Sequence, residues 1–195
     1  MQTEILGHYV GQGLLTADGP YWLRQRRMIQ PAFHRSKLDV LVRIVQDEVR
    51  SYFSEEWRSG GDRKIYPDMH RLAFRIVARA LFSTALREDQ ISKLSNEISA
   101  IQNFVVDRIR QPWLHWWFVL SGAMKKHDKI SGTVRETIMG VIRDRMKNPI
   151  DANDLLDLLL STRYEDTGEP MSENQILDES LILFAAGHET SAVAL

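Results

Sequence analysis

The sequence predicts a mainly α-helical domain, and three observations predict it. Apolar residues recur at three- and four-residue spacing through most of the chain. No convincing stretch alternates apolar and polar residues as a half-buried strand does, and there is no repeat or low-complexity tract. The segment from Ser172 to Leu195 reads as one long helix, apolar on nearly every side from Leu181 onward. Such a helix is predicted to be buried all round, so other helices must surround it. With 195 residues, 44% hydrophobic and 26% charged, residues 1–195 can form a single domain with its own core.

Taken in order, residues 1–20 read as loop, because Gly7, Gly11, Gly13, Gly19 and Pro20 punctuate them. A first helix is predicted from Pro20 or Tyr21 to about Ile29, before Pro31 stops it. Ser36 and Asp39 stand at capping-box spacing, and Leu38, Leu41, Val42, Val45, Val49, Tyr52 and Phe53 keep helical register. Arg58 to Asp62 reads as a turn around Gly60 and Gly61. Pro67 suits a first turn, and Met69, Leu72, Ala73, Ile76, Val77, Ala80 and Leu81 form one stripe behind it. Ile91, Leu94, Ile98, Ile101, Val105 and Ile109 make a further stripe, and Ile130, Val134, Ile138, Val141 and Ile142 another. A short leucine-rich helix follows over Asp154 to Leu160, then a break at Gly168 and Pro170. Ser172 and Gln175 have the Ser-x-x-Gln form of a capping box and open the last helix.

Composition excludes several function classes. A net charge of -1 gives no global attraction to nucleic acid or anionic membrane. The absence of cysteine removes disulfides, thiolate metal sites and a cysteine nucleophile from these residues. No apolar run reaches the length of a membrane span, and no signal-peptide pattern opens the sequence.

Two motifs carry candidate chemistry. Ala186, Gly187 and Thr190 lie three and four apart and share one helical face. Small side chains there let a flat, bulky group approach the backbone, while Gly187 loosens the helix and Thr190 can bond back to the carbonyl of Ala186. Glu189, if buried, needs a partner, a water or a proton. Together they suit a small polar ligand and a proton relay; the competing reading is a small-residue packing face. A zinc-protease helix is excluded, because Ala192 stands where a second histidine is required after His188-Glu189. The second motif is Trp22 and Arg26, four apart and donors only, suited to a carboxylate or phosphate; the competing reading is a core tryptophan beside a solvated arginine. Gly11-Gln12-Gly13 lacks the third glycine of a dinucleotide fingerprint, and the six histidines show no ligand spacing, so no metal site is expected. Pro112 to Leu120 holds three of the five tryptophans and reads as interhelical packing or as a hydrophobic lid.

As a set, these segments resemble the cytochrome P-450 family of haem-thiolate monooxygenases. The resemblance rests on Gly13-Leu14-Leu15, Asp18-Gly19, Trp22-x-x-x-Arg26-Arg27, Pro31-Ala32-Phe33, the run from Asp154 to Leu160, Asp166 to Glu169, Asp178-Glu179, and Ala186-Gly187-His188-Glu189-Thr190. It implies a partial fold of that family, a helical bundle around a long central helix. Trp22 and Arg26 would hold a haem propionate. Ala186 and Gly187 would border the oxygen pocket on the distal haem face, and Glu189 and Thr190 would deliver protons. The tryptophan-rich segment would belong to the substrate-access lid. The implied cofactor is haem b, with its axial cysteine expected downstream and absent here. The implied partners are O2, a lipophilic substrate and an electron donor (ferredoxin, flavodoxin or reductase domain). The missing cysteine and Glu-x-x-Arg pair, and the missing N-terminal sheet, lead to the expectation of an internal fragment, inactive alone. Cytoplasmic location is expected, with an anchor upstream left open. The alternative is a non-catalytic helical interaction module or decayed relative. Arg24 and Arg27, off the Trp22/Arg26 face, are candidates for a donor-docking patch.

Overall fold

Two helices organise the fold: α4 (Ile65–Phe82) and α9 (Glu173–Ala194) lie against each other more extensively than any other pair. The computed structural model describes residues 2–33, 35–57 and 62–195. The remaining helices are α1 (Gln2–Val10), α2 (Gly19–Ile29), α3 (Arg35–Glu56), α5 (Glu88–Arg110), α6 (His115–Leu120), α7 (Ala123–Lys147) and α8 (Leu155–Ser161). Among the described residues there is no strand, only one isolated bridge between Arg163 and Pro170. The mainly α reading therefore holds.

The apolar stripes legible in the sequence are the packed faces. Met69, Leu72, Ala73, Phe74, Ala78, Leu81 and Phe82 of α4 are buried, as are Ile91, Leu94, Ile98, Ile101 and Val105 of α5. Phe74 stacks on Phe184 of α9 with centroids 5.1 Å apart, and Phe82 meets the same ring at 5.7 Å. α3 packs on α4, α5 on α7, and α7 on α9. Three arginines tie this frame together. Arg75 and Arg79 of α4 share Glu48 of α3 at 3.2 and 3.4 Å. Arg145 of α7, almost wholly buried, grips Asp154 in bidentate fashion at 3.1 and 2.9 Å and also pairs with Asp157.

The cap predicted at Ser172 is present, and the structure adds one at Asp154. Ser172 Oγ accepts from the Gln175 N–H at 3.3 Å while Gln175 Oε1 accepts from the Ser172 N–H at 2.9 Å. Asp154 caps α8 by accepting from the Asp157 N–H at 2.9 Å. α3 begins at Arg35, so Ser36 lies within the helix rather than before it. The turn predicted at Arg58 to Asp62 lies, for residues 58–61, outside the described residues.

Two expectations are corrected. Residues 2–10 are helix, not loop: Tyr9 and Val10 are buried, Ile5 and Leu6 pack beside them, and Gly11 ends the helix at φ +83°. The last helix is not buried all round. Ala186, Thr190, Ser191 and Val193 are exposed, because no described element covers that side of α9.

Candidate functional site

The site is built on α9. Helical geometry places Glu179, Ala186 and Thr190 on one face. At its N-terminal end this face is covered by the segment joining α1 to α2. Gln12 N–H donates to Asp178 Oδ2 at 3.0 Å, and Leu14 N–H to Glu179 Oε2 at 3.3 Å. Arg135 of α7 holds the other oxygen of Asp178 at 2.7 Å. A Cβ on Gly13 would stand 2.6 Å from Glu179 Oε1 and 2.7 Å from Ile182 Cδ1, so any larger residue would displace those side chains. Burial pushes the Glu179 carboxyl up to about 7; the Leu14 N–H opposes the shift and the Asp178 charge adds to it. No local pattern marks this clamp, since its two halves lie 165 residues apart.

Trp22 joins the clamp from α2. Its indole N–H donates to the Leu14 carbonyl at 3.2 Å. Leu14 thus ties Trp22 to Glu179, which sets Trp22 on the same side of the molecule as the exposed Ala186 and Thr190. The bond also occupies the donor that the Trp/Arg motif reserved for an anion. Arg26, one turn further along α2, is exposed, and among the described residues its side chain has no hydrogen bond or ion pair. Arg24 is unavailable for a docking patch, because it pairs with Asp166 at 3.1 Å and stacks 3.7 Å over Tyr164; Arg27 is exposed.

The four candidates on α9 separate by direction. Ala186 and Thr190 face outward, and Thr190 Oγ1 donates to the Ala186 carbonyl at 2.6 Å, the back-bond the sequence suggests. α9 nevertheless runs unbroken through Gly187 to Ala194. Gly187 turns towards α4, where a Cβ would stand 3.0 Å from Val77 Cγ2. It borders an apolar cleft of about 360 Å³ with Val45, Ala73, Ile76 and Ser191. Glu189 turns to the opposite flank, into a second cleft of about 410 Å³, and accepts from Tyr66 Oη at 3.4 Å. His188, fully buried, sits edge-on to Phe74 and His70 with centroids 5.2 and 5.0 Å away. Burial holds its pKa below the ordinary histidine value, which keeps the ring neutral.

The tryptophan-rich segment forms a 3-10 turn and α6 between α5 and α7. Packing between helices does not account for its indoles: Trp113, Trp116 and Trp117 are 68%, 59% and 53% exposed. Only Phe118 packs inward, edge-on to Phe104 at 5.4 Å. Among the described residues, no helix is long and apolar enough to cross a membrane.

Comparison with known proteins bears on this arrangement. The chain is 30% identical over 186 residues to a cyclooctat-9-en-7-ol 5-monooxygenase of Streptomyces melanosporofaciens, covering 95% of this chain and 40% of that protein. A pentalenene oxygenase of Streptomyces avermitilis is 26% identical, again over 95% of this chain and 40% of its own length. A bifunctional cytochrome P450/NADPH–P450 reductase of Alternaria alternata is 30% identical over 95% of this chain and 18% of that protein. The chain thus spans about two fifths or less of these relatives. The solved haem domain of cytochrome P450DA superposes with a TM-score of 0.78 at 22% identity, over 97% of this chain and 42% of that one. The sequence profile of the Cytochrome P450 family matches residues 2–195, and with that match the chain belongs to the cytochrome P450 family, whose cofactor is haem.

Proposed function

We propose that these residues form the distal wall, and one propionate contact, of a haem monooxygenase that inserts one atom of O2 into a lipophilic substrate. Electrons would come from a ferredoxin, a flavodoxin or a reductase domain. The observation that supports the reading is the Trp22–Leu14–Glu179 connection, which ties the helix carrying Trp22 and Arg26 to the helix carrying Ala186 and Thr190. The residues present fit a flat macrocycle bearing carboxylates: a strip of small side chains open to solvent on α9 and an exposed, unpaired guanidinium on α2. When bound, the haem iron supplies binding and reductive activation of O2. Its thiolate has to come from outside these residues, which contain no cysteine.

The chain's own residues then have distinct tasks. Arg26 would hold a propionate, while Trp22 orders the preceding loop through its bond to Leu14. Ala186 leaves room against the helix. Thr190 keeps its oxygen lone pairs at the strip after donating to Ala186, so it can hold a water or a proton there. Glu189, at the solvent end on the neighbouring flank, is the proton source, delivering through water to Thr190 after side-chain rotation. Gly187 borders the strip on its α4 side.

The test uses the full-length protein. Thr190→Ala is expected to leave substrate affinity unchanged and to cut product formed per electron pair by about tenfold or more. The consumed O2 then leaves as hydrogen peroxide, with two electrons and two protons per molecule. Arg26→Ala is expected to lose haem on gel filtration. Wild-type product yield in Thr190→Ala refutes the role of Thr190. A wild-type protein that binds no haem establishes the non-catalytic module instead.

A further inference from the structure

We infer that His70, His188 and Glu189 form a site for a divalent transition-metal ion of the zinc class, on the flank of α9 that faces α4 and α5. One ligand atom from each residue lies within 4.8 Å of the other two. Tetrahedral ligands around zinc sit about 3.4 Å apart, so the three ligand atoms would have to draw closer to hold the ion.

The second, independent observation is His188 itself. Its Nδ1 bonds the Phe184 carbonyl at 2.7 Å, which places the ring proton on that nitrogen. The lone pair is therefore on Nε2, and Nε2 is buried with no hydrogen-bond partner. A histidine 0% exposed, held by a backbone carbonyl on one nitrogen and unpaired on the other, has the form of a metal ligand awaiting its ion. The outer ligands already have orienting hydroxyls. Ser99 Oγ lies 3.4 Å from His70 Nε2, and Tyr66 Oη lies 3.4 Å from Glu189 Oε1.

Two imidazoles and one carboxylate suit zinc and its neighbours rather than calcium or magnesium, which take oxygen ligands. The three ligands leave a fourth position open to the cleft lined by Tyr66, Ser95, Asn96, Ser99 and Glu189. Arg71, which lines the same cleft, is engaged by Asp68 and Glu56 at 3.7 and 3.8 Å. The site shares Glu189 with the proton path proposed above, but its readout is metal binding and does not depend on the monooxygenase reading.

The experiment is a zinc titration of the untagged, chelator-stripped full-length protein against a chromophoric competitor. Wild type is expected to bind one zinc per chain, and His70→Ala and Glu189→Gln are each expected to weaken binding at least tenfold. Both residues are partly exposed, so both variants should fold; circular dichroism and a metal-free melt check this. Cobalt(II) in the wild type is expected to give the intense visible bands of a four-coordinate site. No stoichiometric zinc binding, or weakening of less than tenfold in either variant, overturns the inference. Haem content plays no part in these readouts.

Discussion

At the residue scale, Glu179 makes the sharpest statement. Its carboxyl is buried, one oxygen accepts from Leu14 and the other has no partner, and its pKa stands at about 7. A raised carboxyl binds more protons folded than unfolded between its ordinary value and 7. Stability therefore falls as pH rises through that window and is flat above it, a loss of about 3 kcal/mol at most. Glu179→Gln keeps an acceptor for Leu14 and removes the titration. It should raise the melting temperature at pH 8 and flatten the profile between pH 5 and 7. An unchanged slope in chemical denaturation across that range would mean that Glu179 is solvated. Thr190 illustrates the complementary case, a residue whose local bond to Ala186 was legible from spacing alone, while its exposure was not.

At the element scale, α7 and α8 are locked by charge rather than by apolar area alone. Arg145 satisfies Asp154, which in turn caps α8, and Asp157 closes the preceding loop by accepting from Ala152 and Asn153 at 2.8 and 2.9 Å. Arg145→Ala leaves two carboxylates without their cation in a buried setting and should cost about 3–5 kcal/mol. Urea titration with an unchanged m-value would measure it, and a loss below about 1 kcal/mol would assign the site to the surface. Helix register was readable because spacing alone fixes which residues share a face: the stripes of α4, α5 and α7 are the buried ones. The first helix was not readable, because Gly7 and Gly11 read as breakers. Gly7 is tolerated within it, and Gly11 is its terminator. The exposed side of α9 escaped the sequence for a different reason. Apolar composition states what a helix can bury against, not whether anything is there.

At the scale of the whole molecule, what the sequence could not show is contact across distance. Trp22 and Arg26, and the run from Ala186 to Thr190, were visible as two separate local patterns. Their joining through Leu14 and Glu179, and the meeting of His70 with His188, needed the fold, because residues over one hundred positions apart leave no mark on local spacing. Membership of the cytochrome P450 family was legible because several short motifs recur in one order over nearly the full chain. The turn between α5 and α7 has an optical consequence. Three of the five indoles sit there in contact with water, Trp22 is partly exposed, and only Trp57 is lodged at a packed surface. Ultraviolet-excited emission should therefore peak towards the red, and acrylamide should extinguish most of it. A blue-shifted, quencher-resistant spectrum would show that something in solution covers this turn.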